Sequence, residues 1–138
     1  NQGLHDTFDG KENTDIIIEA LAGVKDSQGT VGAPAAEAAR AYKACTLAND
    51  GIEDTTVWNL PALGELMLIA KYKKEINELV TSMFGSQNIL TIDWYWSSTE
   101  WDASSAWGVN FGSGYVGTYG RQNAYRVRPV SAITSLSL

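Results

Sequence analysis

The sequence of 138 residues is 44% hydrophobic and 19% charged, which is the composition of a single globular domain that can bury a core. The formal net charge of −6 argues against a nucleic-acid partner, because nucleic acids select for basic surfaces. No apolar run approaches the roughly 20 residues that a bilayer-spanning helix needs, so membrane insertion is not expected.

Residue types that usually carry chemistry are scarce. The single cysteine, Cys45, excludes an internal disulfide and a cysteine-rich metal site, and the single histidine, His5, lies near the start. The sequence contains no phosphate-binding loop, no Gly-x-Ser-x-Gly and no HExxH. Asp9-Gly10-Lys11-Glu12-Asn13 lacks the spacing of a calcium loop, so a turn or a helix cap is expected there. We therefore predict no catalytic residue, no metal site and no cofactor.

The N-terminal two-thirds of the chain is predicted to be helical. Asn13 or Thr14 suits the cap of a first helix that Gly23 ends. Pro34 suits the first turn of a second helix, whose recurring alanines predict close packing against another element.

Two further helices are predicted beyond a polar, turn-like segment at residues 49–56. One follows Trp58-Asn59-Leu60-Pro61. The other is amphipathic, because apolar side chains recur at helical spacing over residues 76–84, and Gly85 is expected to end it.

After Gly85 the spacing of hydrophobic residues changes from that of a helix to every second residue, which is the spacing of a strand. Trp107 and Val109 begin an alternating run that predicts a strand with one buried face, which places Gly108 on the surface. Gly112-Ser113-Gly114 predicts a hairpin turn before the return strand.

A closing strand is predicted over residues 125–133, with an edge or an end at Pro129, which cannot donate to a ladder. Helices followed by a twisted antiparallel sheet give an α+β fold over residues 1–138, organised as one domain.

Aromatic residues and glycines concentrate near the C-terminus. Four of the five tryptophans fall between residues 94 and 107, and five of the 13 glycines fall between residues 108 and 120. This mixture is typical of recognition surfaces, where aromatic rings give contact area and small polar residues adapt their hydrogen bonds. Inward packing is expected for Trp96, Trp107 and Phe111. Exposure to a ligand is expected for Trp94, Trp101, Tyr115 and Tyr119, of which the last three are predicted to share one patch.

An ordered series of motifs in this region resembles a known family. The motifs are Tyr95-Trp96-Ser97-Ser98-Thr99-Glu100, Ala106-Trp107, Val109-Asn110-Phe111, Gly114 and Tyr125-Arg126-Val127-Arg128-Pro129-Val130. They are similar to the C-terminal half of the variable proteins of diversity-generating retroelements and of related C-type-lectin-like adhesin domains. Earlier stretches that also resemble this family are Asp9-Gly10-Lys11, Pro34-Ala35-Ala36 and the segment from Trp58 to Leu66.

The resemblance implies a C-type-lectin-like scaffold that binds a ligand without catalysis. It also implies that mutagenic copying diversifies the positions between the framework motifs. Together with Trp94, the candidate ligand-binding residues are Trp101, Asp102, Ala103, Ser104, Ser105, Gly108, Gly112, Ser113, Tyr115, Gly117, Thr118, Tyr119, Arg121, Gln122, Asn123 and Ala124. The implied partner is a protein or glycan on a cell or phage-host surface. The resemblance also implies that the protein is located on a cell surface, is secreted or is part of a virion.

Two alternatives stay open. The domain is equally compatible with an adhesin or pilus-tip module of fixed specificity that binds polysaccharide. A degenerate enzyme on the same fold is the second alternative. The triplets Glu-Pro-Asn, Gln-Pro-Asp and Trp-Asn-Asp are absent, so calcium-mediated sugar binding is not expected.

Overall fold

Four α-helices and a short 3-10 helix precede a three-stranded sheet in the computed structural model, which describes residues 7–43 and 55–131. The predicted α+β class is confirmed. No helix within these two ranges is both long and apolar enough to cross a bilayer. His5, Cys45 and the polar segment up to residue 54 lie outside the described residues.

Helix α1 (Gly10–Leu21) begins where the side chain of Asp9 accepts a hydrogen bond from the backbone N–H of Glu12 at 2.9 Å. The prediction that Asn13 or Thr14 caps this helix is wrong, because both residues lie inside it with buried side chains. They are tolerated there since their polar atoms have partners in neighbouring elements.

Helix α2 (Pro34–Ala41) has its proline in the first turn, as predicted. Ala36 and Ala39 are fully buried and pack in one cluster with Ile17 of α1. The short alanine side chains let the two helices approach closely, which confirms the expectation of tight packing.

Helices α3 (Leu63–Lys71) and α4 (Lys73–Phe84) follow, separated by Tyr72 alone. Gly85 ends α4 with a φ of +80°, a left-handed conformation that favours glycine. Both predicted helices are therefore present. The 3-10 helix (Ser86–Asn88) then leads toward the sheet.

The sheet consists of three antiparallel strands in the order β1 (Trp94–Asp102), β2 (Ser105–Asn110) and β3 (Val116–Gly120). On one face, here called the α3 face, Tyr95 and Val109 are buried with Leu66 of α3. On the opposite face, the α1 face, Trp96 is buried in the cluster that contains Ile17. Helices thus cover both faces of the sheet.

A polar bulge in β1 joins the sheet to the helices. The register of β1 on β2 shifts across Ser97–Thr99, whose three residues are buried. Ser97 Oγ donates to the carbonyl of Trp107 at 2.7 Å, and Thr99 Oγ1 accepts from the backbone N–H of Leu63 at 2.9 Å. The bulge therefore binds both β2 and the start of α3.

The predicted closing strand forms single bridges in its described part instead of a continuous ladder. Arg126 exchanges backbone hydrogen bonds of 2.9 Å with Trp94 and Trp96 of β1. Val130 pairs with Asn59. Pro129 has no N–H, so it cannot donate a bond between these two points.

Candidate ligand-binding surface

The loops between the framework motifs meet at one end of the sheet. The tight turn from β1 to β2 lies beside the segment that follows β3, where the backbone N–H of Arg121 donates to the carbonyl of Ser104 at 3.0 Å. Residues 101–105 and 121–124 together form what we call the hairpin end. The predicted ligand-binding residues gathered there are Trp101, Asp102, Ala103, Ser104, Ser105, Arg121, Gln122, Asn123 and Ala124.

Hydrogen bonds within the hairpin end hold its two loops. Asp102 Oδ1 accepts from the backbone N–H of Ser104 at 2.8 Å and from the Ser104 hydroxyl at 3.1 Å. The backbone bond from Ser104 is the main cause of a pKa of Asp102 below its ordinary value. Asn123 Nδ2 donates to the carbonyl of Gly120 at 2.9 Å. The turn from β1 to β2 therefore holds the negative charge of Asp102 in a fixed position.

Trp101 is the large exposed side chain of the hairpin end. The residue is 56% exposed, as predicted, and its ring packs edge-on against Trp107 with centroids 5.6 Å apart. The prediction that Trp107 is buried is wrong, because this residue is only partly covered. Beyond the bulge of β1 its ring lies against the exposed Trp101.

Gly108 belongs to the framework and not to the surface. The prediction of an exposed Gly108 is wrong, since the residue is buried and an added Cβ would lie 3.2 Å from the carbonyl oxygen of Tyr95. Gly117 faces it across β2 and β3, and a Cβ there would come 2.9 Å from the Tyr119 hydroxyl. The two glycines leave space on the α1 face for the rings of Tyr119 and Trp94.

Those rings form an aromatic cluster on the α1 face. Trp94 and Tyr119 have centroids 4.6 Å apart, and Tyr125 lies 5.7 Å from Trp94 and 5.4 Å from Tyr119. Burial, and then the neighbouring Tyr119, raise the pKa of Tyr125. Trp94, Thr118 and Tyr119 are all partly buried, so packing accounts for much of their surface.

The remaining predicted residues lie at the opposite end of the sheet, here called the turn end (residues 112–115). Asn110 Oδ1 accepts from the backbone N–H groups of Gly112 at 2.8 Å and Ser113 at 2.9 Å. Tyr115 is 73% exposed. The length of β2, roughly 16 Å, separates it from Trp101. The predicted single patch of Trp101, Tyr115 and Tyr119 is therefore wrong.

A cavity of about 330 Å³ opens beside the hairpin end, between the α1 face of the sheet and the α1–α2 connection. Its buried walls include Ala36, Leu60 and Trp96. Its more accessible lining carries charged groups from three parts of the chain, namely Asp26, Glu100 and Arg121. Sequence reasoning missed the contribution of the α1–α2 connection, because nothing in its residue pattern links it to the sheet.

Asp26 organises that connection. Its Oδ1 accepts from the backbone N–H groups of Gln28 at 2.9 Å and Thr30 at 2.8 Å. Desolvation alone would raise the pKa of Asp26, but these bonds and the charge of Arg121 outweigh it and lower the pKa. The carboxylate is therefore ionised at neutral pH.

Residues 13–131 match the Lcl C-terminal domain family, a range that takes in the whole sheet, the hairpin end and the cavity. Comparisons with curated proteins and with solved structures find no match. The match confirms the resemblance to variable-protein and adhesin-like domains that the C-terminal motifs suggested. The chain belongs to the Lcl C-terminal domain family, as a ligand-binding domain of the C-type-lectin type.

Proposed function

We propose that the domain attaches without catalysis to a protein or glycan on a cell or phage-host surface, and that the hairpin end makes the contact. The observation that carries this proposal is the bond between Arg121 and Ser104, which joins two loops that are distant in sequence into one surface. Exposed Trp101 supplies aromatic contact area on that surface. A location at a cell surface, outside the cell or on a virion follows from such a partner.

The chemistry of the carboxylates supports binding over catalysis. Enzymes that use a carboxylic acid as a proton donor raise its pKa, whereas turn hydrogen bonds lower the pKa of Asp26 and Asp102. Neither group is therefore poised as a proton donor, and both hold their loops through hydrogen bonds.

We further propose that mutagenic copying diversifies the hairpin end. Sequencing of the source locus tests this, because a template repeat of codons 94–130 beside a reverse-transcriptase gene would differ from the coding copy mainly at adenines. We expect differences at codons 101–105 and 121–124. The matched control consists of the framework codons for Ser97–Thr99, Gly108 and Gly117, which we expect to be identical in both copies.

Differences spread equally over framework and hairpin-end codons would contradict diversification of this surface. A locus without a template repeat would instead favour an adhesin of fixed specificity. The hairpin end would then remain the proposed ligand surface, but no retroelement would diversify it.

A further inference from the structure

The cavity beside the hairpin end has the size and walls of a small-ligand site. Its volume of about 330 Å³ lies within the range of roughly 300–1,000 Å³ that such sites occupy. Trp96 and Tyr125, whose ring centroids are 4.8 Å apart, both line it. An apolar group as large as a benzene ring would bury its surface against these two rings.

The charged groups of the cavity favour a cation. Glu100 lies on the same face of the sheet as Trp96, because they pair with Ala106 and Gly108 of β2. Asp26 adds a second carboxylate, whereas Arg121 is the one basic residue in the described lining. The net charge of this lining is therefore −1, and the faces of tryptophan and tyrosine rings also attract cations.

We propose that this cavity binds an apolar group that bears a protonated amine. The ammonium lies against the carboxylates and the apolar part packs on Trp96 and Tyr125. The inference rests on the proposed function, since it names a ligand class for the same end of the domain. The amine belongs either to a free small molecule or to the N-terminal residue of a partner protein.

Three probes of nearly equal shape test the charge preference. Phenethylamine, 2-phenylethanol and 3-phenylpropanoate are titrated into the full chain, and backbone amide chemical shifts of residues lining the cavity report binding. We expect phenethylamine to bind about tenfold more tightly than the alcohol or the carboxylate, since only the ammonium forms a hydrogen bond to the carboxylates in which donor and acceptor are both charged. Equal affinity for the three probes, or no shift at cavity residues with any of them, would overturn the proposal.

Two charge variants locate the ammonium. Glu100→Gln should weaken phenethylamine binding about tenfold. Arg121→Gln removes the cation that competes for the carboxylates of the same lining, so it should strengthen phenethylamine binding. Equal weakening in both variants, with both folded by thermal melting, would contradict the assignment. The three-probe series in the unaltered protein still tests the charge preference if a variant fails to fold.

A peptide arm distinguishes the source of the amine. A Phe-Gly-Gly amide with a free N-terminus that matches phenethylamine indicates a chain terminus, whereas binding of phenethylamine alone indicates a small molecule. The proposed function and the amine-binding inference can fail independently. Cell-surface binding that depends on Trp101 without amine binding defeats only this inference. Amine binding without any cell-surface binding defeats only the proposed function.

Discussion

At the scale of single residues, alternation along β2 predicts which side chains share a face but not how deeply each is covered. Val109 is buried as expected, whereas Trp107 on the same face is partly exposed. Gly108 shows the opposite error. Because Gly108 has no side chain and lies between two apolar residues, the alternating pattern assigns it to the exposed face. In the structure it is buried, because large aromatic rings occupy the space above it.

Substitution of two tryptophans on neighbouring strands tests this difference in burial. Trp96→Ala should lower the free energy of unfolding by about 3–5 kcal/mol, the usual cost of emptying a buried aromatic site. Trp107→Ala should lower the free energy of unfolding by about 1–2 kcal/mol, because less of its apolar surface is buried in the folded protein. Chemical denaturation of both variants measures the two costs. Equal costs would mean that Trp107 is as well covered as Trp96.

At the scale of elements, the bulge in β1 was not predicted. Ser97, Ser98 and Thr99 belong to the framework motif Tyr95–Glu100, but nothing in that motif predicts that they are buried and bind neighbouring elements. Polar residues in a short run carry no sequence signal that separates a satisfied interior from an exposed loop.

Thr99→Val isolates the contribution of the bulge to α3. The change keeps the shape of the side chain and leaves the backbone N–H of Leu63 without its acceptor. We expect a loss of about 1–3 kcal/mol in unfolding free energy. Thr118→Val on partly buried β3 is the matched control and should change stability by about 0.5 kcal/mol or less. The role of the bulge is refuted if the two variants have the same stability.

The amphipathic pattern of α4 predicts the helix correctly but does not predict which of its apolar side chains are buried. Ile76 packs against the cluster on the α3 face, whereas Leu79, Met83 and Phe84 are exposed. A period of 3.6 shows that one face is apolar and carries no information about which element lies against it.

At the scale of the whole molecule, the sequence predicts helices followed by an antiparallel hairpin, whereas it predicts neither strand β1 nor the arrangement of the candidate site. The hairpin end depends on the pairing of β2 with β3, which places Arg121 beside Ser104. The cavity also depends on the α1–α2 connection, which contributes Asp26 from a distant part of the chain. Such long-range contacts come from packing, so local periodicity cannot reveal them.

An ion pair across the helical layer predicts how stability responds to acid. Arg40 Nη2 lies 2.6 Å from Asp15 Oδ1 and joins α2 to α1. Desolvation opposes the effect, but the bonds from Arg40 and Lys11 outweigh it and lower the pKa of Asp15. A lowered folded-state pKa stabilises the fold above the unfolded value of 3.8, and this stability is lost as the pH falls through the folded value.

Unfolding free energies measured from about pH 5 down to about pH 2 should therefore decrease. Asp15→Asn should show a shallower decrease than the unaltered protein. A stability that stays constant or rises toward low pH, or an identical slope in the variant, would contradict the role of this pair.

The most direct test of the account measures binding to a panel of bacterial cells and surface glycans by the labelled domain and two matched variants. Trp101→Ser alters the hairpin end, whereas Tyr115→Ser removes another exposed aromatic ring, at the turn end. Both variants should stay folded, because exposed substitutions change stability by about 0.5 kcal/mol or less. We predict that Trp101→Ser weakens attachment about tenfold or more, as loss of a hot-spot aromatic does, and that Tyr115→Ser leaves it unchanged. Unchanged attachment by Trp101→Ser, or loss with Tyr115→Ser alone, would contradict the assignment of the hairpin end as the ligand surface.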